Sequence, residues 1–421
     1  MWRGFGPPLL RMGSKKKFSA LGRAVGAMAI SAAAVTPVTA QAQFYGMLAA
    51  CIGANNCGMA GAGVALPLDA SHGIVNPSGI ARLGNEYYIS PGWLSAHRKV
   101  GAAGNPAVVN QNDFLNSAKN NFPLFSGGVT KRLRSDLAIG FMISGIGGIG
   151  SKFQEGRTVP GQAGGYDRKL MYALAHLMPT VAWSPQRNLS VGLSGILGFA
   201  RLRTDAATAT LARPAKGNRQ DIAFGLGAKV GALWDIDERF SVGGSFQSPV
   251  WFQEFKKYRD LLIGSLDTPW QAQVGGVWRA LPTTDLTLDL RYIGYSHVKV
   301  IGRTPEGGGF GWDDVKAVAV GAQHRIGEKW TTRAGFSLST SPIPKENLFA
   351  NAFTAAVVQK AVTGGLSYEI SDNTEIGFSG EFMFRENKTN DGSGDAISQL
   401  SAGTHAQSYF YGINLGLRRQ F

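Results

Sequence analysis

The sequence predicts an all-β fold: a transmembrane antiparallel β-barrel of about fourteen strands, preceded by a segment outside the strand pattern. Three observations predict it. The composition is glycine-rich and poor in charge, an export signal comes first, and from residue 86 onward polar turns recur between alternating runs.

Of 421 residues, 57 are Gly, 44% are apolar and 17% are charged. Soluble domains average about 7% Gly and about 25% charged residues, so an ordinary soluble enzyme is a poor fit. Mean hydropathy is −0.04. No run approaches the ~18 apolar residues of a spanning helix, which excludes a helical membrane protein. Aromatic residues make up 10% and are spread along the chain, which argues against disorder.

Export is written at the N-terminus. Lys15-Lys16-Lys17 forms a basic region, Ala24 to Val35 an uncharged apolar one, and Ala40-Gln41-Ala42 a small-residue cleavage site. Residues 1–42 therefore read as a signal peptide, with Gln43 as the mature start. Leu48-Ala49-Ala50-Cys51 resembles a lipoprotein box, but polar Thr39, Gln41 and Gln43 separate it from the apolar region. Residues 1–42 carry six Lys/Arg and no acid, so their removal lowers the net charge from +14 to +8. What remains suits contact with anionic membrane lipid and lipopolysaccharide, not nucleic acid.

Short turns are expected at Lys131–Asp136, Ser184–Asn188, Asp235–Arg239, Leu281–Asp285, Ile326–Lys329 and Ile370–Thr374. Between them Leu286, Leu288 and Leu290 alternate with Thr287 and Asp289, and Ile376, Phe378 and Phe382 with Gly377, Ser379 and Glu381. Period-two alternation makes one face apolar. In an exported chain with short turns on one side and long loops on the other, that face looks outward into lipid, and closure satisfies every backbone donor. Six turns with both termini on the periplasmic side imply seven hairpins, hence fourteen strands. Ile413, Leu415, Leu417 and terminal Phe421 share a face, and such an ending resembles the signal read by barrel-assembly machinery. Arg419 falls on the lipid side, where a charge near the interface costs about 0–1 kcal/mol.

Residues 43–85 break the alternation. They hold Gly58-Met59-Ala60-Gly61-Ala62-Gly63-Val64-Ala65-Leu66, then Asp69-Ala70-Ser71 and Asn76-Pro77-Ser78-Gly79-Ile80-Ala81. Phe246-Gln247-Ser248-Pro249, Trp312 with Asp313-Asp314, Arg333-Ala334-Gly335 and Ser341-Pro342-Ile343-Pro344 follow. Together these resemble the FadL/TodX-like family of outer-membrane transporters for long-chain fatty acids and hydrocarbons, over nearly the whole mature chain. The resemblance implies a monomeric barrel, 86–421, plugged by an N-terminal hatch, 43–85. It also implies passive uptake of hydrophobic compounds, with capture by extracellular loops, hatch rearrangement and release sideways into the membrane. Asn76, Pro77 and Asp69 would set the hatch. Gly145, Gly147 and Gly148 would open a gap at a kinked third strand, since glycine weakens strand pairing; an unbroken bend is the alternative.

Other motifs carry little chemistry. Gly145-Ile146-Gly147-Gly148-Ile149-Gly150 matches a dinucleotide fingerprint but lacks a following helix, because the next stretch holds Pro160 and several Gly. No phosphate loop or G-x-S-x-G occurs, and His72, His97, His176, His297, His324 and His405 form no ligand pair. Neither a catalytic residue nor a cofactor or metal is expected. In an oxidising periplasm Cys51 and Cys57 are expected to form a hatch disulfide, two thiols being the alternative.

Trp251, Phe255, Tyr258 and Leu262 recur at helical spacing, with Lys256 and Lys257 off that stripe. This is either a ligand-binding surface on an extracellular loop or a loop helix packing on its neighbours. Phe349 and Phe353 offer a second apolar wall, and Asp289, Arg291, Arg333 and Glu381 fall on the lumen side. The competing functions are a general diffusion porin and an outer-membrane lipid hydrolase.

Overall fold

The computed structural model describes residues 44–102, 115–153, 168–204, 219–259, 261–354 and 357–421. The expected signal peptide, 1–42, lies outside them. Fourteen strands form the wall. They are β1 (Glu86–Ala102), β2 (Asn121–Arg132), β3 (Leu137–Phe153), β4 (Arg168–Gln186), β5 (Leu189–Thr204), β6 (Asp221–Asp235) and β7 (Phe240–Gln247). They continue as β8 (Gln271–Leu281), β9 (Thr284–Ile293), β10 (Val315–Ile326), β11 (Trp330–Ser339), β12 (Lys360–Ser371), β13 (Thr374–Thr389) and β14 (Thr404–Gln420). Each pairs antiparallel with the next, and β14 pairs back onto β1 from Thr404↔Ala102 to Gln420↔Glu86. The sheet therefore closes, and the six expected turns are its six tight connections.

Alternation decides the two faces. Leu226 is 63% exposed and Leu290 53% on the outside, while Ser190, Ser194, Thr287 and Ser379 are buried inside. Outward Trp183, Trp234, Phe240, Trp278 and Trp330 lie at the turn ends of their strands, with Phe240 and Trp278 stacked at 6.4 Å. Such a girdle marks the membrane boundary of an outer-membrane barrel. The C-terminal Phe421 is 60% exposed there, and its N–H donates to the Asn85 carbonyl (3.0 Å).

The lumen is filled by residues 44–85. They form the antiparallel pair Tyr45↔Leu48, two short helices, α1 (Gly53–Cys57) and α2 (His72–Val75), and a 3₁₀ turn, Pro77–Arg82. Cys51 and Cys57 form a disulfide, which uses the sulfur that a lipoprotein-box reading requires.

Asn76 caps the 3₁₀ turn and ties it to the wall. Its Oδ1 accepts from the Ser78 N–H (3.2 Å) and hydroxyl (2.7 Å), and its Nδ2 donates to the carbonyls of Val64 (2.9 Å) and Ala232 (3.1 Å). Pro77 sits at the first helical position, where its missing N–H costs nothing. The hatch lies so close here that a Cβ on Gly231 would overlap the Asn76 Oδ1.

A second tie runs through Asp69. It accepts from Ser71 N (2.9 Å) and Asn55 Nδ2 (3.0 Å), and Asn55 reaches on to Glu375 of β13 (3.3 Å). Glu375 pairs with Arg418 of β14 at 2.8 Å. Burial pushes the Asp69 carboxyl above its ordinary range, against the Ser71 and Asn55 hydrogen bonds. A third tie is Asp289 of β9, whose Oδ2 accepts from the backbone N–H groups of Gly63 (3.0 Å) and Val64 (2.9 Å).

Candidate functional site: an apolar chamber above a broken strand pairing

The lumen widens above the hatch into an apolar cavity of ≈ 90 Å³. Leu261, Leu262 and Leu266 of the fourth long loop, Trp312 of the fifth and Phe353 of the sixth line it, and Met47 of the hatch is its floor. Polar atoms around it are used elsewhere. Trp312 Nε1 donates to Asn351 Oδ1 (2.6 Å), and the Thr354 hydroxyl donates to the Asn351 carbonyl (2.8 Å). The walls thus offer hydrocarbon and few free donors, which suits a ligand held by burial at about 0.8 kcal/mol per methylene.

The floor is a short piece of chain. The Tyr295 hydroxyl donates to the Tyr45 carbonyl (2.5 Å) and accepts from the Met47 N–H (3.2 Å). Tyr295 itself is set edge-on against Trp312, with ring centroids 5.1 Å apart. Arg291 lies beneath, its guanidinium 5.4 Å from the Tyr45 ring centre and its Nε donating to Gln273 Oε1 (3.1 Å).

The same piece of chain touches the wall where strand pairing stops. The β2–β3 ladder ends at Ser126↔Ser144, although β2 stays paired with β1 as far as Asn121↔Ser95. Beyond a register shift between Gly145 and Gly147, β3 stays paired with β4 to Phe153↔Arg168. Among the described residues, Asn121–Phe125 and Gly145–Ser151 therefore face each other without a ladder. The hatch takes up part of the loss: Leu48 pairs with Gly147, and the Gly148 N–H donates to the Met47 carbonyl (2.9 Å). A Cβ on Gly147 would overlap that carbonyl. Above the break, the Ala118 N–H donates to the Lys152 carbonyl (2.6 Å) and closes the rim.

The expected site residues are distributed unevenly. Leu262 and Phe353 line the chamber; Phe349 is half-buried outside it. Phe255 is buried behind it, edge-on to Tyr172 at 6.4 Å, and the Tyr258 hydroxyl accepts from the Thr204 N–H (3.0 Å). Among the described residues of 251–262 the expected loop helix does not form. Trp251 and Phe252 pair instead with Leu226 and Gly225 of β6, and only Lys256–Tyr258 makes a single 3₁₀ turn. Trp251 consequently points outward, 59% exposed, on the opposite side from Phe255. Lys256 is exposed, and Lys257 caps β6 through its N–H to Asp221 Oδ2 (2.8 Å).

Asp289, Arg333 and Glu381 are buried inward; the Arg333 guanidinium donates to the Ser367 hydroxyl (2.6 Å). Glu381 lies 3.6 Å from the Cys51 sulfur. Cys51, Cys57 and Glu381 cluster closely enough to suggest a metal, but both sulfurs are consumed by the disulfide. The fingerprint glycines 145–150 are strand, and most of the stretch after them, 154–167, lies outside the described residues.

A family model described as outer membrane protein transport protein (OMPP1/FadL/TodX) matches residues 35–421. The chain belongs to that family. This FadL/TodX-family protein is thus an outer-membrane β-barrel from a family of hydrophobic-compound transporters. Its fold is similar to that of a Pseudomonas aeruginosa FadL homologue (TM-score 0.68, 13% identity, 89% of this chain and 100% of that one). It is also similar to the P. putida toluene transporter TodX (0.66, 11%, 88% and 99%) and the Ralstonia pickettii toluene transporter TbuX (0.60, 15%, 88% and 98%). Among curated protein sequences nothing matches it.

Sequence reasoning missed Met47, Tyr295 and Leu266, and only noted Trp312 as part of a motif. Nothing local marks them, because their role comes from a meeting of three loops with the hatch.

Proposed function

We propose that this protein takes up hydrophobic small molecules by capture between its fourth, fifth and sixth long loops. Entry into the apolar chamber displaces hatch residues 44–49, and the molecule then leaves sideways between β2 and β3 into the membrane. One observation carries this reading: Met47 is the chamber floor, and Met47 with its neighbour Leu48 is also the chain that covers the unpaired part of β3. Moving that one piece connects the two spaces. Passage needs no energy source, only a gradient that ends in lipid. Monoaromatic hydrocarbons and long-chain fatty acids are both apolar enough; the toluene transporters of similar fold favour the first, the FadL homologue the second.

The test is uptake of labelled toluene and labelled oleate by cells carrying the wild type or Gly147→Val. The added side chain overlaps the Met47 carbonyl and pushes that piece of hatch off β3, so the route opens more readily and uptake is expected to rise about tenfold. Unchanged uptake in the variant would overturn lateral passage. Large ion conductance of the wild type in planar bilayers, with no hydrocarbon uptake, would make it a general porin instead.

A further inference from the structure

The outer surface of β13, β14 and β1 carries cations near the loop ends of these strands. Trp93 of β1 is 46% exposed on the lipid side, so His97 and Lys99, an even number of positions further on, share that side. Across the ladder His97 faces Tyr409 and Lys99 faces Gln407, and Gln407 in turn faces Asn387 of β13. Paired residues share a face of the sheet, so these too look outward. Arg385 joins them through a bulge. The β13–β14 register skips between Met383 and Glu386, so Phe384 and Arg385 together oppose Tyr409. The extra residue re-aims the arginine, whose guanidinium lies 5.1 Å from the centre of the Tyr409 ring.

The strands set the height of this cluster. Tyr87 pairs with Arg419 at the turn end of the wall, near exposed Phe421, and His97 pairs with Tyr409 further up. Roughly ten residues at ~3.3 Å each, tilted by about 40°, rise about 25 Å, the height of the apolar band. His97, Lys99 and Arg385 therefore stand at the outer membrane boundary, with Trp93, Ile413 and Phe382 exposed to lipid below them. At the same height on β6 and the chain paired with it, the outward side chains are Phe224 and Trp251, both exposed and neither charged.

The chain does not neutralise the two cations. Glu386, next to Arg385, lies against Lys360 at 3.6 Å, and among the described residues neither Lys99 nor Arg385 has an ion-pair partner. The cluster also has a flat side. His97 stacks on Tyr409 with ring centroids 4.7 Å apart, and lies 5.6 Å from Tyr411. Cations beside aromatic faces, above an apolar wall, match a ligand that is an anionic sugar at its top and hydrocarbon below. Arginine meets phosphate through paired N–H groups, and lysine meets it as a point charge.

We propose that this flank is a binding site for lipopolysaccharide. Arg385 and Lys99 hold a phosphate of its glucosamine disaccharide, a sugar face rests on the Tyr409–His97 stack, and acyl chains run down Trp93, Ile413 and Phe382.

The test uses the full mature chain in neutral detergent with EDTA, so that no divalent cation bridges phosphates. Native mass spectrometry reads its occupancy by bisphosphorylated lipid A, the membrane-embedded part of lipopolysaccharide, by dephosphorylated lipid A, and by inorganic phosphate. Lipid A is expected to bind the wild type about tenfold or more tighter than its dephosphorylated form, and inorganic phosphate far more weakly than either. In the double variant Arg385→Gln, Lys99→Gln that preference is expected to fall to about twofold or less. Lys316→Gln, which removes an exposed lysine at the loop end of β10, is expected to leave it unchanged. The wild-type comparison needs no variant and decides the matter even if a variant does not fold. Equal affinity for the two lipids would overturn the inference. Inorganic phosphate binding as tightly as lipid A would overturn it as a site for free anions. A loss in Lys316→Gln as large as in the double variant would overturn it as a diffuse effect of charge.

Discussion

From Cys57 to Arg82 the hatch is held by many buried side-chain hydrogen bonds, to itself and to the wall. From Tyr45 to Ile52 the ties to the wall are one hydroxyl, one guanidinium, the Cys51–Glu381 contact and a short backbone pairing, and the Cys51–Cys57 disulfide joins this stretch to the lower part. The lower part has the four hydrogen bonds of Asn76, the Asp69–Asn55–Glu375 chain and the Asp289 clamp on Gly63 and Val64. The upper part has Tyr295, Arg291 and Leu48↔Gly147. Local opening follows the weakest set of contacts, so one plug contains an anchor and a latch. In the proposed uptake route, that difference is what would let a ligand in the chamber move Met47 without unseating the remainder.

The anchor is the place to look for the largest effect. Asn76→Ala removes four hydrogen bonds at once and strands the buried Ser78 and Val64 groups. Each stranded group costs about 1–3 kcal/mol, so the seated hatch is expected to lose about 3–5 kcal/mol in all. Proteolysis of the hatch in folded barrels, followed against urea, measures this. A hatch that resists as the wild type does would show that the lower part is not the anchor.

Acid should act on the same half. His72, in α2, is buried, and its pKa is lowered from 6.5 to about 3 by burial first and by the charge of Lys229 second. The seated value is below the free one, so seating is fully stable above the free value and weakens as pH falls below it. The loss is about 1.4 kcal/mol per pH unit until the seated value is reached. Between pH 7.5 and 4.5, amide exchange in α2 is expected to quicken by about a hundredfold relative to a fixed intrinsic rate, which is about 2.7 kcal/mol. His72→Gln should flatten that dependence. A wild type whose lower hatch is equally protected at both pH values would contradict it.

Much of the wall was legible because its signals are local. A pleated strand facing lipid must alternate, and Leu286 to Leu290 or Ile376 to Phe382 record that alternation residue by residue. The turns, the terminal Phe421 and the Asn76-Pro77 element are equally short-range. The site is not. Helical spacing over 251–262 misled because Trp251 and Phe252 found a strand partner in Leu226 and Gly225, and pairing outranks a weak amphipathic pattern. The glycines of β3 announced weak pairing, but nothing near them says that hatch backbone would lie against Gly147. Lys229 reads as one lysine in a strand; its Nζ is buried and donates to the carbonyl of Ile74, which is 155 residues away in sequence.

The latch should yield to a smaller change. Tyr295→Phe deletes one oxygen and keeps the ring against Trp312, so the chamber wall stays intact. It leaves the Met47 N–H and the Tyr45 carbonyl, on residues 2% and 4% exposed, without their partner. Each could recover part of the loss by shifting, so the expected cost is about 1–2 kcal/mol, or roughly tenfold faster opening. The Gly148 amide reports it, because its proton is held only while Met47 stays in place. Faster exchange at Gly148, with α2 unaffected at neutral pH, separates the latch from the anchor. If both parts quicken together, the hatch moves as one body, and displacing residues 44–49 must draw the whole plug with them.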